Sequence, residues 1–108
     1  MAEAGKRLGA VTGATAETSL YVVPGATFTV MGTLTICNRT TAKVTYRWAI
    51  VAAGGAAADA DWKEYDTELL GNESAFRTLG EAMESGSEIR VQSSVAGVSF
   101  SASGIEYS

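Results

Sequence analysis

The sequence contains no histidine, one cysteine and one proline in 108 residues. Without histidine there is no imidazole to act as a base beside a serine or cysteine, or to ligate a metal. Cys37 alone can form neither an intrachain disulfide nor a thiolate zinc cluster. These absences exclude the commonest nucleophilic and zinc-dependent chemistries, and we expect no enzymatic activity, no cofactor and no metal.

Long apolar runs and excess positive charge are also missing. No stretch approaches the roughly 18 apolar residues of a membrane-spanning helix, and the polar segment from Met1 to Arg7 does not resemble a signal peptide. The net charge of −4 opposes the counterion release that drives non-specific nucleic-acid binding. We therefore expect assembly in the cytoplasm, with neither a membrane nor a nucleic acid as partner.

The residues that are abundant favour β-structure. The chain has 12 Thr and 9 Val but only 6 Leu, and Thr and Val suit a pleated, half-buried surface. Its length suits one domain with a real core. We expect a single all-β domain over residues 1–108, in which residues 1–7 form an extended N-terminal arm.

Alternation of apolar and polar residues is clearest in residues 27–37 and 43–51. Period two over these lengths predicts two strands, each with one face in the core. The polar segment Asn38-Arg39-Thr40-Thr41 between them reads as a turn, so the two strands are predicted to form an antiparallel hairpin, with Gly32 marking a bulge. The side chains predicted to face the core are Phe28, Val30, Leu34, Ile36, Val44, Tyr46, Trp48 and Ile50.

Six further strands are predicted, at residues 8–12, 19–23, 62–65, 74–79, 88–92 and 97–107. In the last of them, Gly104 is predicted to shift the alternation by a bulge, which returns Ile105 and Tyr107 to the core. About eight strands without a long helix predict an antiparallel β-sandwich or jelly roll.

Two regions are predicted to form contact surfaces. The first is the loop of residues 54–66, where Trp62 follows an acidic segment and serves as either an interface anchor or a ligand platform; its other candidate residues are Asp59, Asp61 and Tyr65. The acidic residues fit a solvated loop better than a cation site, because they lack the spacing of a calcium loop. The second is the N-terminal segment of residues 1–12, with Lys6 and Arg7.

Charge and hydroxyl patterning both favour association. Residues 1–58 carry 5 basic and 2 acidic side chains, whereas residues 59–108 carry 3 basic and 10 acidic ones. Edges of opposite charge would attract neighbouring copies, in an association that weakens toward about 0.5 M salt. The Thr-rich outer face of the strand at 27–37 carries few charges to discourage contact, which also favours an oligomer.

Five segments carry a resemblance to a known family. They are Leu8-Gly9-Ala10-Val11-Thr12, Thr18–Thr27 with Tyr21-Val22-Val23-Pro24, Leu34–Arg39 with Cys37-Asn38-Arg39, Met83–Val91 and Gly97–Glu106. Together they resemble small structural proteins of tailed bacteriophages. Ser87 stands where the strand entry frequent in viral jelly rolls usually has Asp.

This resemblance implies a virion protein that acts by contact rather than by chemistry. It implies a capsid decoration protein or a tail- or baseplate-associated protein, bound through many non-covalent contacts to itself, for example as a trimer, and to other virion proteins. The alternative function is a carbohydrate-binding, receptor-recognising module of a fibre, for which exposed aromatic side chains would form the glycan platform.

Overall fold

The computed structural model describes residues 3–52 and 57–108, and within them the chain is built almost entirely of strands. The described elements are β1 Glu3–Thr12, β2 Thr18–Val22, β3 Phe28–Asn38, β4 Val44–Val51, a single 3₁₀ turn Asp59–Asp61, β5 Trp62–Leu69, β6 Ser74–Met83, β7 Glu88–Ser93 and β8 Val98–Tyr107. In this part of the chain, no helix has the length and apolar character to cross a membrane.

The strands form two four-stranded antiparallel sheets. The front sheet has the order β1-β8-β3-β6, and the back sheet has the order β2-β7-β4-β5. Among the described strands, only β4 and β5 are consecutive in the chain and adjacent in one sheet, while every other connection crosses between the sheets. This order is that of a jelly roll with two interlocked Greek keys. The predicted fold class, an antiparallel sandwich or jelly roll of about eight strands, is confirmed.

The predicted hairpin between β3 and β4 is wrong, because these strands lie in different sheets. The side chain of Asn38 stabilises the segment in which the chain crosses from β3 in the front sheet to β4 in the back sheet. It is buried, donates to the backbone oxygens of Ala42 at 2.8 Å and Leu70 at 3.0 Å, and accepts from the backbone N–H of Thr40 at 2.9 Å. A side chain that satisfies loop and neighbouring-strand backbone groups replaces the ladder hydrogen bonds of a hairpin.

Gly32 marks a bulge, as predicted, but the bulge reverses the faces of the first half of β3. The pairing with β8 shifts between Met31 and Thr33, which puts one extra residue on β3. Before the bulge, Thr29 and Met31 are fully buried. The prediction that Phe28 and Val30 face the core is therefore wrong; beyond the bulge, Leu34 and Ile36 are buried as predicted.

The strand β8 keeps its alternation through Gly104. Val98, Phe100 and Ala102 are buried as predicted, and the next inward residue with a side chain is Glu106, which accepts a hydrogen bond from the buried Tyr21. The predicted bulge that returns Ile105 and Tyr107 to the core is wrong. The two residues lie opposite Val30 and Phe28 on the outer face of the front sheet.

The N-terminal residues do not form a separate arm where the structure describes them. Glu3–Arg7 is the first half of β1 and pairs with β8 from Tyr107 to Ser103. Backbone pairing to an existing edge strand satisfies the N–H and C=O groups that a free arm would leave to water. The correction makes β1 a full-length edge strand.

The core lies between the two sheets and is closely packed. The prediction that Trp48 belongs to the core is confirmed, since only 2% of its surface is exposed, and Val44 and Tyr46 are buried beside it. Ile50 is partly buried against the same cluster and lies opposite the buried Ile89. The other large buried side chains are Leu20, Tyr21, Val23, Met31, Leu34, Ile36, Leu69, Met83, Val91, Val98 and Phe100.

Candidate functional site

The outer face of the front sheet is a broad surface of small hydroxyl side chains. Cross-strand partners point to the same side of a sheet, so the register defines rows. One row runs across Thr12, Ser99, Cys37 and Ser74. The next rows are Ala10, Ser101, Thr35 and Phe76, and then Arg7, Ser103, Thr33 and Thr78. We call this surface, together with its apolar end, the uncharged face.

The apolar end lies beyond the bulge at Gly32. There Val30 and Ile105 are partners, and Phe28 stacks on Tyr107 with ring centroids 4.7 Å apart and planes inclined by 11°. Phe28 is 39% exposed. Offset-stacked aromatic pairs at this distance stabilise each other beyond their buried area, so the pair forms a rigid apolar surface rather than two independent side chains.

The uncharged face contrasts with the outer face of the back sheet. Among its side chains that the structure describes, the charged ones are Arg7 at the β1 edge and Arg39, whose guanidinium donates to the hydroxyl of Thr12 at the end of the first row. The outer face of the back sheet carries four ion pairs, Arg47–Asp66, Lys43–Glu68, Arg90–Glu88 and Arg90–Glu17, at 2.6–3.1 Å. Ala57 also lies against it, since its N–H donates to Glu17 at 3.1 Å.

A shallow depression of about 370 Å³ lies on the uncharged face, over β1, β8 and β3. Cys37 lines it together with Thr35, Ser99 and Ser101, so its thiol is a partly exposed member of a hydroxyl-rich surface, on the outward side as predicted. These groups donate and accept neutral hydrogen bonds, and they offer no charge to a ligand.

A second candidate surface lies at the outer side of the β4–β5 edge, where two bulges bring aromatic side chains together. Trp62 and Tyr65 are three residues apart, so a regular strand would point them to opposite faces. The register of β5 against β4 shifts twice in this stretch. The shift at Lys63, which has no partner between Trp48 and Ala49, puts Trp62 and Tyr65 on the same side, and in the other shift Tyr65 and Asp66 together oppose Arg47. As a result, the rings of Trp62 and Tyr65 meet edge to face, with centroids 5.6 Å apart.

Trp62, Tyr65 and Asp59 line an open cleft of about 370 Å³, which we call the aromatic corner. Tyr65 is 57% exposed, which is unusual for a large aromatic side chain. Asp59 begins the 3₁₀ turn that precedes β5, whereas Asp61 points back to accept from the N–H of Ala58 at 2.9 Å. Asp61 therefore caps the turn and does not line the corner.

Arg47 fixes the aromatic corner from the neighbouring strand. Its guanidinium carbon lies 3.8 Å from the ring centroid of Tyr65, within the range of a cation–π contact. The same group donates to both oxygens of Asp66, at 2.6 and 3.1 Å. This pairing raises the pKa of Arg47 and lowers the pKa of Asp66 through their hydrogen bonds, so both stay charged and the ring of Tyr65 stays in place.

A polar cleft of about 260 Å³ adjoins the aromatic corner through Arg47 and Asp66. Its other polar lining groups include Thr45, Gln92 and Ser94. Hydroxyl, amide, guanidinium and carboxylate groups side by side provide both donors and acceptors. The aromatic corner therefore continues into a surface that can hydrogen-bond a polar ligand.

Glu64 of β5 lies between the sheets and connects the back sheet to β6 of the front sheet. It accepts from Arg77 at 2.8 and 2.9 Å, from the indole N–H of Trp48 at 2.7 Å and from the hydroxyl of Tyr46 at 3.0 Å. Burial raises the pKa of Glu64, but the hydrogen bonds from Arg77, Trp48 and Tyr46 outweigh it and hold that pKa below its usual value. Burial and the bond to Glu64 raise the pKa of Tyr46 to about 12.

The carboxylates of Glu64 and Glu68 do not form a pair that could hydrolyse a glycoside. Glu64 faces the space between the sheets, while Glu68 is 65% exposed on the outer side and pairs with Lys43 at 3.1 Å. A glycosidase needs two carboxyl groups facing each other across a cleft. In the described residues there is also no group of three or more acidic or cysteine side chains placed to hold a metal.

Lys6 and Arg7 lie on the edge strand β1, in the other sheet from the aromatic corner. Lys6 binds Glu106 at 2.8 Å, and Glu106 also accepts from the hydroxyl of Tyr21. The hydrogen bonds from Lys6 and Tyr21 lower the pKa of Glu106, while burial and Glu106 raise the pKa of Tyr21 to about 12. Lys6 thus helps to hold β1 in place, and Arg7 is exposed.

The structure brings together some of the residues predicted as contacts and separates others. Trp62, Tyr65 and Asp59 share the aromatic corner, whereas Lys6 and Arg7 lie apart from it. Residues 54–56 of the predicted contact loop are outside the described residues. Asp66 was included only as an acidic residue of the loop 54–66, and Arg47 was not named as a contact, because neither the bulge nor the positive φ of 52° at Asp66 has a signal in the sequence. Most of the uncharged face was also missed, although its Thr-rich strand was recognised.

Comparisons with known proteins identify no relative of this chain. No family model, no curated protein and no solved structure matches it. The class that the fold defines is a small jelly-roll domain with an uncharged outer sheet face and a separate aromatic corner.

Proposed function

We propose that this chain is a non-enzymatic structural protein of a tailed-phage virion, a capsid decoration or tail- or baseplate-associated subunit that acts through multivalent protein–protein contacts. The observation that carries the proposal is the uncharged face. The phage assignment rests on the resemblance of the sequence segments to small virion proteins, and a jelly-roll strand order, frequent in capsid proteins, supports it.

The uncharged face has the properties of a buried contact surface. A soluble monomer protects a broad sheet face with charged side chains, especially lysine, and the back sheet has such charges. Protein interfaces are depleted of charge at their centre and enriched in aromatic residues. The described rows of hydroxyl groups, with the stacked Phe28 and Tyr107 at one end and Phe76, 66% exposed, at the β6 side, fit this composition.

The size of the face explains why many copies are needed. Four strands about 4.8 Å apart and about 30 Å long give roughly 500 Å² of surface, whereas a standard stable interface buries about 800 Å² on each partner. A single contact of this size is weak. Symmetric repetition of the subunit, as a homo-oligomer or on a virion lattice, multiplies weak contacts into firm attachment.

The experiment places one charge in the middle of the face. Thr35→Lys introduces a lysine on the central strand β3, where Thr35 faces Ser101 and Phe76. The matched control is Thr45→Lys, at an outward position of the central strand β4, where the new lysine faces Glu68. Phage particles are purified from the host that carries the gene, and each variant is quantified on them after gradient sedimentation.

We expect the unchanged chain and Thr45→Lys to sediment with the particles at a fixed ratio, and Thr35→Lys to be reduced at least about tenfold, because a buried lysine without a partner is costly. Circular dichroism checks that both variants are folded. If the unchanged chain does not sediment with particles, the proposed function is wrong. If Thr35→Lys binds as well as the control, the uncharged face is not the contact.

A further inference from the structure

We infer that the aromatic corner and the polar cleft beside it form a binding site for a neutral saccharide, separate from the uncharged face. The inference goes beyond the proposed function and does not depend on it. The two surfaces lie on different sheets, so a subunit attached through the front sheet leaves the aromatic corner accessible.

The two bulges of β5 are the first argument. The bulge at Lys63 turns Trp62 and Tyr65, which a regular strand would place on opposite faces, to the same outer side. The second bulge places Tyr65 and Asp66 together opposite Arg47. Packing does not require this arrangement, because Tyr65 remains 57% exposed and the core is filled by other side chains. Bulges are over-represented at sheet edges, where β5 lies, and next to active sites, where they re-aim side chains.

The ring of Tyr65 is held ready for a ligand. Arg47 lies over it at 3.8 Å and is itself bonded to both oxygens of Asp66. A ring fixed in this way loses little conformational freedom when a ligand stacks on it, which favours binding. Trp62 stands at 72° to the same ring, so the two aromatic groups form a corner rather than a flat patch.

The combination of groups points to a sugar. A pyranose ring has an apolar C–H face that packs on aromatic rings, and hydroxyl groups at its rim that hydrogen-bond in pairs. The aromatic corner provides the rings, and the adjoining polar cleft provides Thr45, Gln92 and Ser94. The pairing of Arg47 with Asp66 uses two of the five guanidinium N–H donors, which leaves capacity for hydroxyl groups.

The charge of the site decides between classes of saccharide. Arg47 and Asp66 neutralise each other at 2.6 Å, and the remaining charged residue of the lining is Asp59. The net charge of the lining is therefore negative, and a negatively charged site repels carboxylated, sulfated and phosphorylated sugars. The ligand class is therefore a neutral oligosaccharide of hexose or N-acetylhexosamine units.

The test begins with an array of neutral oligosaccharides of hexoses and N-acetylhexosamines, with sialylated and sulfated members as charge controls. Binding of each hit is then titrated by tryptophan fluorescence. Trp48 is only 2% exposed, so changes in emission on binding report Trp62. The variants are Trp62→Ala, Tyr65→Ala and Tyr65→Phe, with Phe76→Ala as the matched control for an exposed aromatic residue on the other sheet.

We expect neutral members to bind, with affinity reduced at least about tenfold in Trp62→Ala and Tyr65→Ala but within about threefold of the original in Tyr65→Phe and Phe76→Ala. Calorimetric melting identifies any variant that is not folded, and Tyr65→Phe then decides whether the ring or the hydroxyl matters. Binding that survives both alanine substitutions would overturn the inference.

Three other outcomes would also overturn it. These are an array without neutral hits at about millimolar concentration, binding confined to the anionic members, and a response of Trp62 to tetramethylammonium but not to any sugar. The last result would assign the aromatic corner to a cationic side chain of a protein. None of these outcomes bears on attachment through the uncharged face, which Thr35→Lys tests separately.

Discussion

At the scale of single residues, the polar side chains inside the sandwich determine how its layers meet. Asn38 satisfies backbone groups where the chain crosses from β3 toward β4, and Glu64 ties the edge of the back sheet to Arg77 of the front sheet. A partly buried carboxylate that accepts four hydrogen bonds, two of them from a guanidinium, is stabilising only while all its partners remain. The edge that lies beneath the aromatic corner therefore depends on Glu64.

Replacing Glu64 by Gln tests this dependence and its response to pH. At neutral pH we expect the free energy of unfolding to fall by about 2 kcal/mol, an amount already reduced for the partial exposure of Arg77. The folded-state pKa of Glu64 is lowered below 4.5, so its contribution is complete above that value and is lost as the pH falls through the folded-state pKa. The loss caused by Glu64→Gln should therefore shrink with acidification.

Urea unfolding at about pH 7, 5 and 3 measures this difference. The matched control is Glu68→Gln, which removes a 65%-exposed carboxylate from the same strand and should change stability by less than about 0.5 kcal/mol. A difference between Glu64→Gln and the unchanged chain that is the same at every pH would contradict the assignment, because it would show that the charge of Glu64 does not matter.

At the scale of elements, strands were easier to predict than their partners and faces. Period-two patterns located β3, β4, β7 and β8, because a half-buried strand has to alternate. The pairing of β3 with β4 was wrong because a short polar turn suits a hairpin and a crossing between sheets equally well. Only the hydrogen bonds of Asn38 distinguish them, and these depend on Leu70, which is distant in sequence.

Bulges explain why the faces were predicted incorrectly. One extra residue at Gly32 exchanges the inward and outward sides of the first half of β3. The alternation of Phe28 and Val30 does not show this exchange, because Thr29 and Met31 can lie on either side of a sheet. For the same reason, the sequence predicted a contact surface in the loop 54–66 but not that Trp62 and Tyr65 form a pair of rings on one side of a bulged strand. The spacing of Trp62 and Tyr65 indicates a common side only once the bulges of β5 are known.

The two glycines at the bulge of the front sheet have different roles, and alanine substitution should separate them. A Cβ on Gly104 would lie 2.4 Å from the backbone oxygen of Val30, whereas one on Gly32 would have nothing nearer than the oxygen of Ser103 at 3.6 Å. Backbone cannot move aside as a flexible side chain can. We expect Gly104→Ala to cost about 2–3 kcal/mol and Gly32→Ala to be neutral or stabilising by up to about 1 kcal/mol.

Thermal and urea unfolding of the two variants, compared with the unchanged chain, provides the measurement. Equal losses in both variants would mean that the close approach of β8 to β3 at Gly104 is not what fixes the register there. Val30 and Ile105 lie on the uncharged face at this level. The same result would therefore also mean that Gly104 does not fix the register at the apolar end of that face.

At the scale of the whole molecule, the jelly roll is a flat body with two different faces. Its principal extents are 45, 26 and 19 Å. The back face carries paired charges and the aromatic corner, while the front face is hydroxyl-rich and apolar. A subunit that attaches by one broad face and recognises a ligand at the other needs this asymmetry, and the uneven distribution of charge along the sequence only partly reflects it.

This asymmetry changes the expected response of self-association to salt. Attraction between oppositely charged edges, as the charge pattern of the sequence suggests, would weaken as screening shortens to about 4 Å near 0.5 M salt. However, charged groups such as Arg47, Lys43 and Arg90 are already paired within the subunit, and the uncharged face has few charges to screen. A net charge of −4 adds repulsion between copies, which salt reduces.

We therefore expect the association constant to stay constant or to rise between about 0.05 and 0.5 M NaCl, and to fall at least about tenfold in Thr35→Lys at every salt concentration. Sedimentation velocity over a range of protein concentrations measures both effects, with Thr45→Lys as the control that should associate normally. Dissociation by about 0.5 M NaCl together with normal association of Thr35→Lys would show that charged edges hold the copies together. The contact would then have to be sought along the β1 edge near Arg7 rather than across the front sheet.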